Sequence, residues 1–203
     1  MLNIGVLVSG GGSNLQALID ARDAGKLFNG ELALVVSSVP GAGALIRAEK
    51  ANIKTIIIDK SIAGKNFDKQ LHDTLVTEKI DLVVLAGFLC IIGKLVLTTF
   101  KNKIINVHPS LIPSFCGKGF YGLKVHEEVL KYGVKITGAT VHFVNEEIDG
   151  GKIIMQKAVE VLDNDTPETL QLRVMREAEW VILPQAVAKL CEEGSTNDAN
   201  ELE

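Results

Sequence analysis

Two stretches of this 203-residue sequence carry side chains suited to chemistry at a carbonyl. In KIINVHPSLIP, Asn106 and His108 lie two residues apart at the end of an apolar run. Residues two apart on a strand point the same way, so the amide and the imidazole share one face. Asp149 follows in EEIDGG, a tight turn whose glycines let the backbone approach another segment closely. An asparagine N–H₂ and a protonated imidazole donate hydrogen bonds to the oxygen that gains negative charge when an amine attacks a carbonyl. A neighbouring carboxylate raises the histidine pKa and helps move the amine proton. No serine or cysteine nucleophile is required. A histidine before proline also serves purely structural ends, and it is the trio that points to catalysis.

The second stretch is Ser9-Gly10-Gly11-Gly12-Ser13-Asn14-Leu15-Gln16, set between an apolar run and the helical segment LQALIDARDAG. Ser13 with Gln16 three residues on predicts a capping box. A strand, a glycine turn and a helix N-terminus form an anion site, because orphan N–H groups and the helix dipole both favour phosphate. The same turn also suits tight strand–helix packing with no ligand at all. Dinucleotide binding fits poorly: GxGxxG would need a third glycine where Leu15 stands, and the second strand ends in Ser37-Ser38 where an acidic residue would hold a ribose. GxxxxGK[ST] is absent.

Other reactive side chains are weaker candidates. Cys116 has no sequence-adjacent base to activate it. His126, His142, Asp149 and Cys116 lack the HxH, HExxH or CxxC spacings of metal ligands, so no metal is expected. His72 lies among charged residues and reads as solvated, and His142 reads as a hydrogen-bonded core residue. A net charge of −4 removes the broad basic footprint of a nucleic-acid binder, so an anionic ligand must be held by local devices. Three scattered cysteines suggest a reducing, cytoplasmic setting. The run from Leu82 to Ile92 is shorter than the ~20 residues that cross a bilayer. The expected partners are small molecules, with no nucleic acid or membrane, in a monomer or homodimer.

These groups need a scaffold, and the pattern supplies an α/β one. Short apolar runs near 3–8, 31–37, 54–58, 81–86 and 103–107 alternate with helical stretches, as in repeated βαβ units around an open, Rossmann-like, mostly parallel sheet. Phe67, Leu71, Leu75 and Val76 recur at helical spacing. After Pro109 comes the loop-rich PSLIPSFCGKGFYG and a helix expected over 123–132. Residues 136–145 and 151–161 predict an antiparallel hairpin, since parallel pairing needs a longer connection. Thr166 caps a helix with Pro167 at its first position, and Pro184 is expected to break or kink it. With 47% hydrophobic residues, one domain over 1–193 is expected, followed by a flexible, acidic tail over 194–203.

In this order, SGGGSNLQALID, VVLAGFLCII, INVHPSLIPSF, TVHFVNEEIDGG and EAEWVILP closely resemble the folate-dependent phosphoribosylglycinamide formyltransferase family, over roughly residues 1–190. NxHPSxxP and the later DGG also occur in methionyl-tRNA formyltransferase and formyltetrahydrofolate deformylase, which are longer. The resemblance implies the formyltransferase fold. It implies transfer of a formyl group from 10-formyltetrahydrofolate, a cosubstrate, to the amine of glycinamide ribonucleotide (GAR). Another formyltransferase or hydrolase using the same folate is the alternative. It implies that Asn106, His108 and Asp149 are the catalytic set. Gly12, Ser13 and Asn14 would hold the phosphate, and Glu179, with Arg176 and Glu177 as neighbours, would contact GAR. Leu89, Cys90, Ile91 and Ile92 would wrap the folate, with Asn106 and Asn145, Glu146, Glu147, Ile148 and Asp149 on its other side and Lys65 for its glutamate tail. The sequence departs from family habit at four places. Cys90 replaces an arginine, Trp180 a histidine, the arginine often found before the third helix is replaced around Gly64-Lys65, and residues 117–125 form a longer loop than in some relatives.

Overall fold

A computed structural model describes residues 1–200, with side chains through 194. Its strands are β1 (Leu2–Val8), β2 (Gly30–Ser37), β3 (Lys54–Ile57), β4 (Leu82–Leu85), β5 (Ile104–His108), β6 (Ile136–Phe143) and β7 (Ile153–Glu160). Among the described residues they form one seven-stranded sheet in the order β3-β2-β1-β4-β5-β6-β7. The first five pair in parallel, while β6 and β7 are antiparallel to their neighbours. The expected α/β class and terminal hairpin are both present. The order turns back at β1, which pairs with β2 on one side and β4 on the other. Open sheets bind ligands beyond the strand C-termini at such a switch point.

Alternation along the buried strands sends side chains to two cores. Ile4, Val6, Val8, Val84, Ile105 and Val107 pack under α1 (Ser13–Asp23), α6 (Leu123–Tyr132) and α8 (Trp180–Asn200). Leu7, Leu34, Val83, Leu85 and Ile104 meet Phe67, Leu71 and Leu75 of α4 (Phe67–Thr77) and Val96 of α5 (Lys94–Thr99). The helical stripe expected on α4 is buried except at Val76, which is 48% exposed. Helices α2 (Gly43–Lys50) and α3 (Lys60–Ala63) complete the first half. No helix among the described residues is long and apolar enough to cross a membrane.

Three local expectations need correction. Helix α1 is not closed by a capping box: its N-cap is Gly12 in the left-handed region at φ 75°, with no side-chain cap. Ser13 already lies inside the helix, and the Gln16 side chain instead bonds Asp20 and Arg47. The second correction concerns Pro184, which lies within α8 without ending it. The irregularity falls just before α8, in a π-helical turn over Met175–Glu179. Third, α8 continues to Asn200, through most of the expected tail, and residues 201–203 lie outside the described residues. At the start of α7 (Pro167–Val174), by contrast, Thr166 and Thr169 form the capping box and Pro167 takes the first helical position.

The β6–β7 connection shows why its glycines are needed. A Cβ on Gly151 would overlap the carbonyl oxygen of Phe143, where the returning chain passes the end of β6. We expect Gly151→Ala to force the turn apart and cost more than about 2 kcal/mol. Urea denaturation would measure this, and an unchanged midpoint would show that the turn has slack.

Candidate active site

Beyond the C-terminal ends of β1, β4 and β5 lies a cavity of about 690 Å³. Its walls come from the glycine turn, the loop after β4, the ends of β5 and β6, the 117–122 loop, the 145–149 turn and one face of the α7–α8 segment.

The glycine turn is held by its carbonyls. The Ala44 N–H donates to Gly10 O at 3.1 Å, Arg47 Nε to Gly11 O at 2.8 Å, and the Gln16 N–H to Gly12 O at 2.9 Å. A Cβ on Gly12 would lie 2.6 Å from Ala44, so the turn presses directly on α2. With the carbonyls engaged elsewhere, the first N–H groups of α1 are uncapped and lie at the cavity, which Gly12, Ser13 and Asn14 all line. Lys118 is the only lysine or arginine among the described lining residues, which leaves the amides as the main anion-binding device.

On β5, Asn106 and His108 both line the cavity, as their spacing predicts. The antiparallel β5–β6 register sets His142 opposite Asn106. His142 Nδ1–H donates to the Phe143 carbonyl at 2.8 Å, which leaves Nε2 to accept from Asn106 Nδ2 at 3.2 Å. This contact orients the amide and spends one of its two N–H groups. His108 donates through Nε2–H to the Phe115 carbonyl at 2.9 Å, which turns Nδ1 towards Asp149 Oδ2 at 3.5 Å. The other Asp149 oxygen lies 3.6 Å from His142 Nε2. The carboxylate thus bridges two imidazoles, and the Gly117 N–H donates to it at 2.8 Å. Asp149 itself has φ 57°, a left-handed conformation that aspartate tolerates better than most side chains.

Burial decides the protonation states. It pushes the His108 pKa down, and although the Asp149 charge and the Phe115 carbonyl pull it back up, the net shift is downward. The expected raising by the carboxylate therefore exists but does not win. Burial pushes Asp149 up, yet the neighbouring His142 and His108 rings and the Gly117 N–H hold it below the usual carboxylate value. Glu179 is buried in the cavity wall, and burial raises it to about 6 against the lowering hydrogen bond from Asn14 Nδ2 at 2.7 Å.

Most of the other expected site residues also meet here: Glu179, Leu89 to Ile92, and Asn145 to Ile148 all line the cavity. Three do not. Arg176 and Glu177 are exposed on the far side of the π turn, because the inward face of that segment runs through Gln171, Met175 and Glu179 at four-residue steps. Lys65 sits exposed in the 3₁₀ turn Gly64–Asn66, away from the cavity. His126 is buried in α6, where burial and the His108 charge lower it to about 4, and it does not line the cavity. His142, Gln171 and Met175 escaped sequence reasoning as site residues. The four-residue spacing back from Glu179 was a usable signal for the latter two, whereas His142 is assigned only by strand register.

An open α/β sheet that sets Asn106, His108 and Asp149 beside a glycine turn at a helix N-terminus is an arrangement suited to group transfer at a carbonyl. The chain belongs to the formyl transferase family, which it matches over residues 2–187. It is 39% identical over 193 residues to the chloroplastic phosphoribosylglycinamide formyltransferase of Arabidopsis thaliana, covering 94% of this chain and 65% of the relative. It is 43% identical over 188 residues to the trifunctional purine biosynthetic protein adenosine-3 of Gallus gallus, covering 92% of this chain and 18% of that protein. The chain thus spans less than two thirds of the length of these curated relatives. Among solved structures it resembles glycinamide ribonucleotide transformylase 1 of Symbiobacterium toebii, with a TM-score of 0.89 and 40% identity over 95% of this chain and 89% of that one. It also resembles the phosphoribosylglycinamide formyltransferase of Anaplasma phagocytophilum, with a TM-score of 0.85 and 38% identity over 95% and 88%.

The Asn14–Glu179 bond makes a direct prediction. Asn14→Leu removes the donor that favours the ionised carboxylate and keeps the site dry, so the Glu179 pKa should rise above its value of about 6. A carbon-13 NMR titration of the carboxyl reads this, and an unmoved or lowered midpoint would count against it.

Proposed function

We propose that residues 1–193 act as one formyltransferase domain. It moves the formyl group of 10-formyltetrahydrofolate to the amine of GAR, giving formyl-GAR in purine biosynthesis. The observation that carries this reading is that one cavity joins an anion-binding glycine turn to Asn106, His108 and Asp149. The names of the similar phosphoribosylglycinamide formyltransferases support the same substrate pair. The GAR phosphate lies on the amides of Gly12, Ser13 and Asn14, and Glu179 takes hydrogen-bond donors elsewhere on GAR. The folate packs between the loop of Leu89 to Ile92 and the turn of Asn145 to Asp149. The folate is a cosubstrate, and the proposed chemistry uses no metal. A cytoplasmic setting fits this metabolism, although the Arabidopsis relative is named chloroplastic.

The amine lone pair attacks the formyl carbon, a C–N bond forms, and the carbonyl oxygen becomes an oxyanion. The second Asn106 N–H, not spent on His142, donates to that oxyanion, and the His108 ring adds positive charge beside it once it takes a proton at Nδ1. Asp149 faces His108 Nδ1 at 3.5 Å, a separation that suits tightening once reactants are in place. Ionised and close to the ring, it stabilises imidazolium as charge develops and helps carry the amine proton away. A proton reaches the folate nitrogen, the bond from that nitrogen to the formyl carbon breaks, and tetrahydrofolate leaves.

Asn106→Ala and His108→Ala should each lower kcat/KM for GAR about 10²–10³-fold in an absorbance assay of formyl-folate consumption. Consumption that proceeds equally without GAR would favour the hydrolase alternative, and a preference for another amine would favour a different formyltransferase. Asp149→Asn removes a charge that raises the His108 pKa, so that pKa should fall further, and any limb of the pH–rate profile that follows His108 should move to lower pH. An unchanged profile would leave Asp149 with a positional role alone.

A further inference from the structure

The end of β2, where a dinucleotide site would place an acid, carries Ser38, which is 2% exposed. Its hydroxyl lies 2.7 Å from the Ser9 hydroxyl, immediately before the glycine turn. Ser38 is itself fixed: its N–H donates to Val8 O at 3.1 Å, and its carbonyl accepts from the Lys60 N–H at 3.2 Å. Ser9 Oγ accepts from the Leu89 N–H at 3.0 Å, and the Ser9 N–H donates to Gly87 O at 3.1 Å. One serine therefore holds two points of the 87–93 loop while its own carbonyl side opens the glycine turn. The far end of the loop is tied by Asp68, whose Oδ2 accepts from the Leu95 N–H at 3.0 Å. A Cβ on Gly93 would overlap that carboxylate. Between these anchors Phe88, Cys90 and Ile92 pack on the second core, whereas the side chains of Leu89 and Ile91 are 67% and 76% exposed, so the backbone at Leu89 is held chiefly by its hydrogen bond to Ser9.

We propose that Ser9, braced by Ser38, is a positioning residue that couples the two halves of the cavity: an anion bound on the glycine turn orders the 87–93 loop through the Ser9 hydrogen bonds. Calling that loop the folate side rests on the function proposed above, but the coupling does not. An anion that fixes the peptide planes of Gly10 to Gly12 also fixes the neighbouring Ser9, and through it the Leu89 and Gly87 backbone. Filling one half of the cavity then lowers the ordering cost of the other, which is positive cooperativity without a change of fold.

The test is amide hydrogen exchange on the full chain with inorganic phosphate as probe. In the wild type, phosphate should slow exchange at 87–93 as well as at 10–14. Ser9→Ala should speed exchange at 87–93 about three- to tenfold, roughly the loss of one hydrogen bond, and should abolish the phosphate response there while keeping it at 10–14. Ser9→Thr restores both. Ser38→Ala, which leaves Ser9 in place but unbraced, should weaken the response in the same direction and serves if Ser9→Ala folds poorly. In the formyl-transfer assay Ser9→Ala should raise the folate KM about three- to tenfold with kcat changed less than about twofold. Phosphate protection of 87–93 that is missing in the wild type, or undiminished in Ser9→Ala, would overturn the proposal. Tetrahydrofolate that fails to protect 87–93 would instead remove the folate assignment, with the phosphate coupling still measured.

Discussion

A carboxylate side chain that is only 9% exposed must be matched by donors or it will not stay ionised, and much of the site follows from satisfying Asp149. Its partners come from three parts of the chain: His108 at the end of β5, His142 on β6, and the Gly117 N–H of the loop that follows β5. Each demands its own piece of architecture. The antiparallel β6 exists beside β5 to bring His142 to Asn106, and the tight turn at Gly150-Gly151 brings Asp149 back over both. The loop must pass close enough for a main-chain N–H to reach the carboxylate. If any of these shifts, a buried charge loses a partner, so the hairpin, the strand end and the loop are held as a unit.

The second half of the cavity faces the opposite problem under the proposed function, which needs an anion held in a protein of net charge −4. Here the positive pole consists of main-chain amides, and the three glycine-turn carbonyls are turned away to Ala44, Arg47 and Gln16. Arg47 contributes by orienting the turn through Gly11 O, although it does not line the cavity. Main-chain amides of this kind do not themselves titrate across physiological pH.

The parallel strands, the hairpin and the shared face of Asn106 and His108 were legible in the sequence because they rest on local periodicity. Residues two apart on a strand share a face in any fold, and five connecting residues cannot join parallel neighbours. The role of His142 was not legible, because alternation gives its face but only the β5–β6 register gives its partner. Arg176 and Glu177 were misplaced for a related reason: nearness to Glu179 in sequence is not nearness around a helix, and a π turn shifts the phase further. The capping box at Ser13 failed because Gly12 adopts a left-handed conformation that starts the helix one residue early. That failure has a physical use, since a side chain capping those amides would compete with the anion.

The protonation states tie the two halves together. Burial drives His108 towards neutral imidazole and raises Glu179, while the Gly117 N–H and the two neighbouring imidazoles keep Asp149 ionised. Of these three groups His108 arrives neutral and Asp149 ionised, and Glu179, at about 6, lies closest to changing charge near neutral pH. The site has little cationic charge of its own, since Lys118 is the only lysine or arginine among the described lining residues. It places the response where charge develops: an oxyanion or amine proton near His108 has Asp149 3.5 Å behind the ring to stabilise the imidazolium. The low dielectric that makes the resting imidazole hard to charge makes that single ion pair stronger when it forms, so the burial opposing His108 protonation also gives the pair its strength.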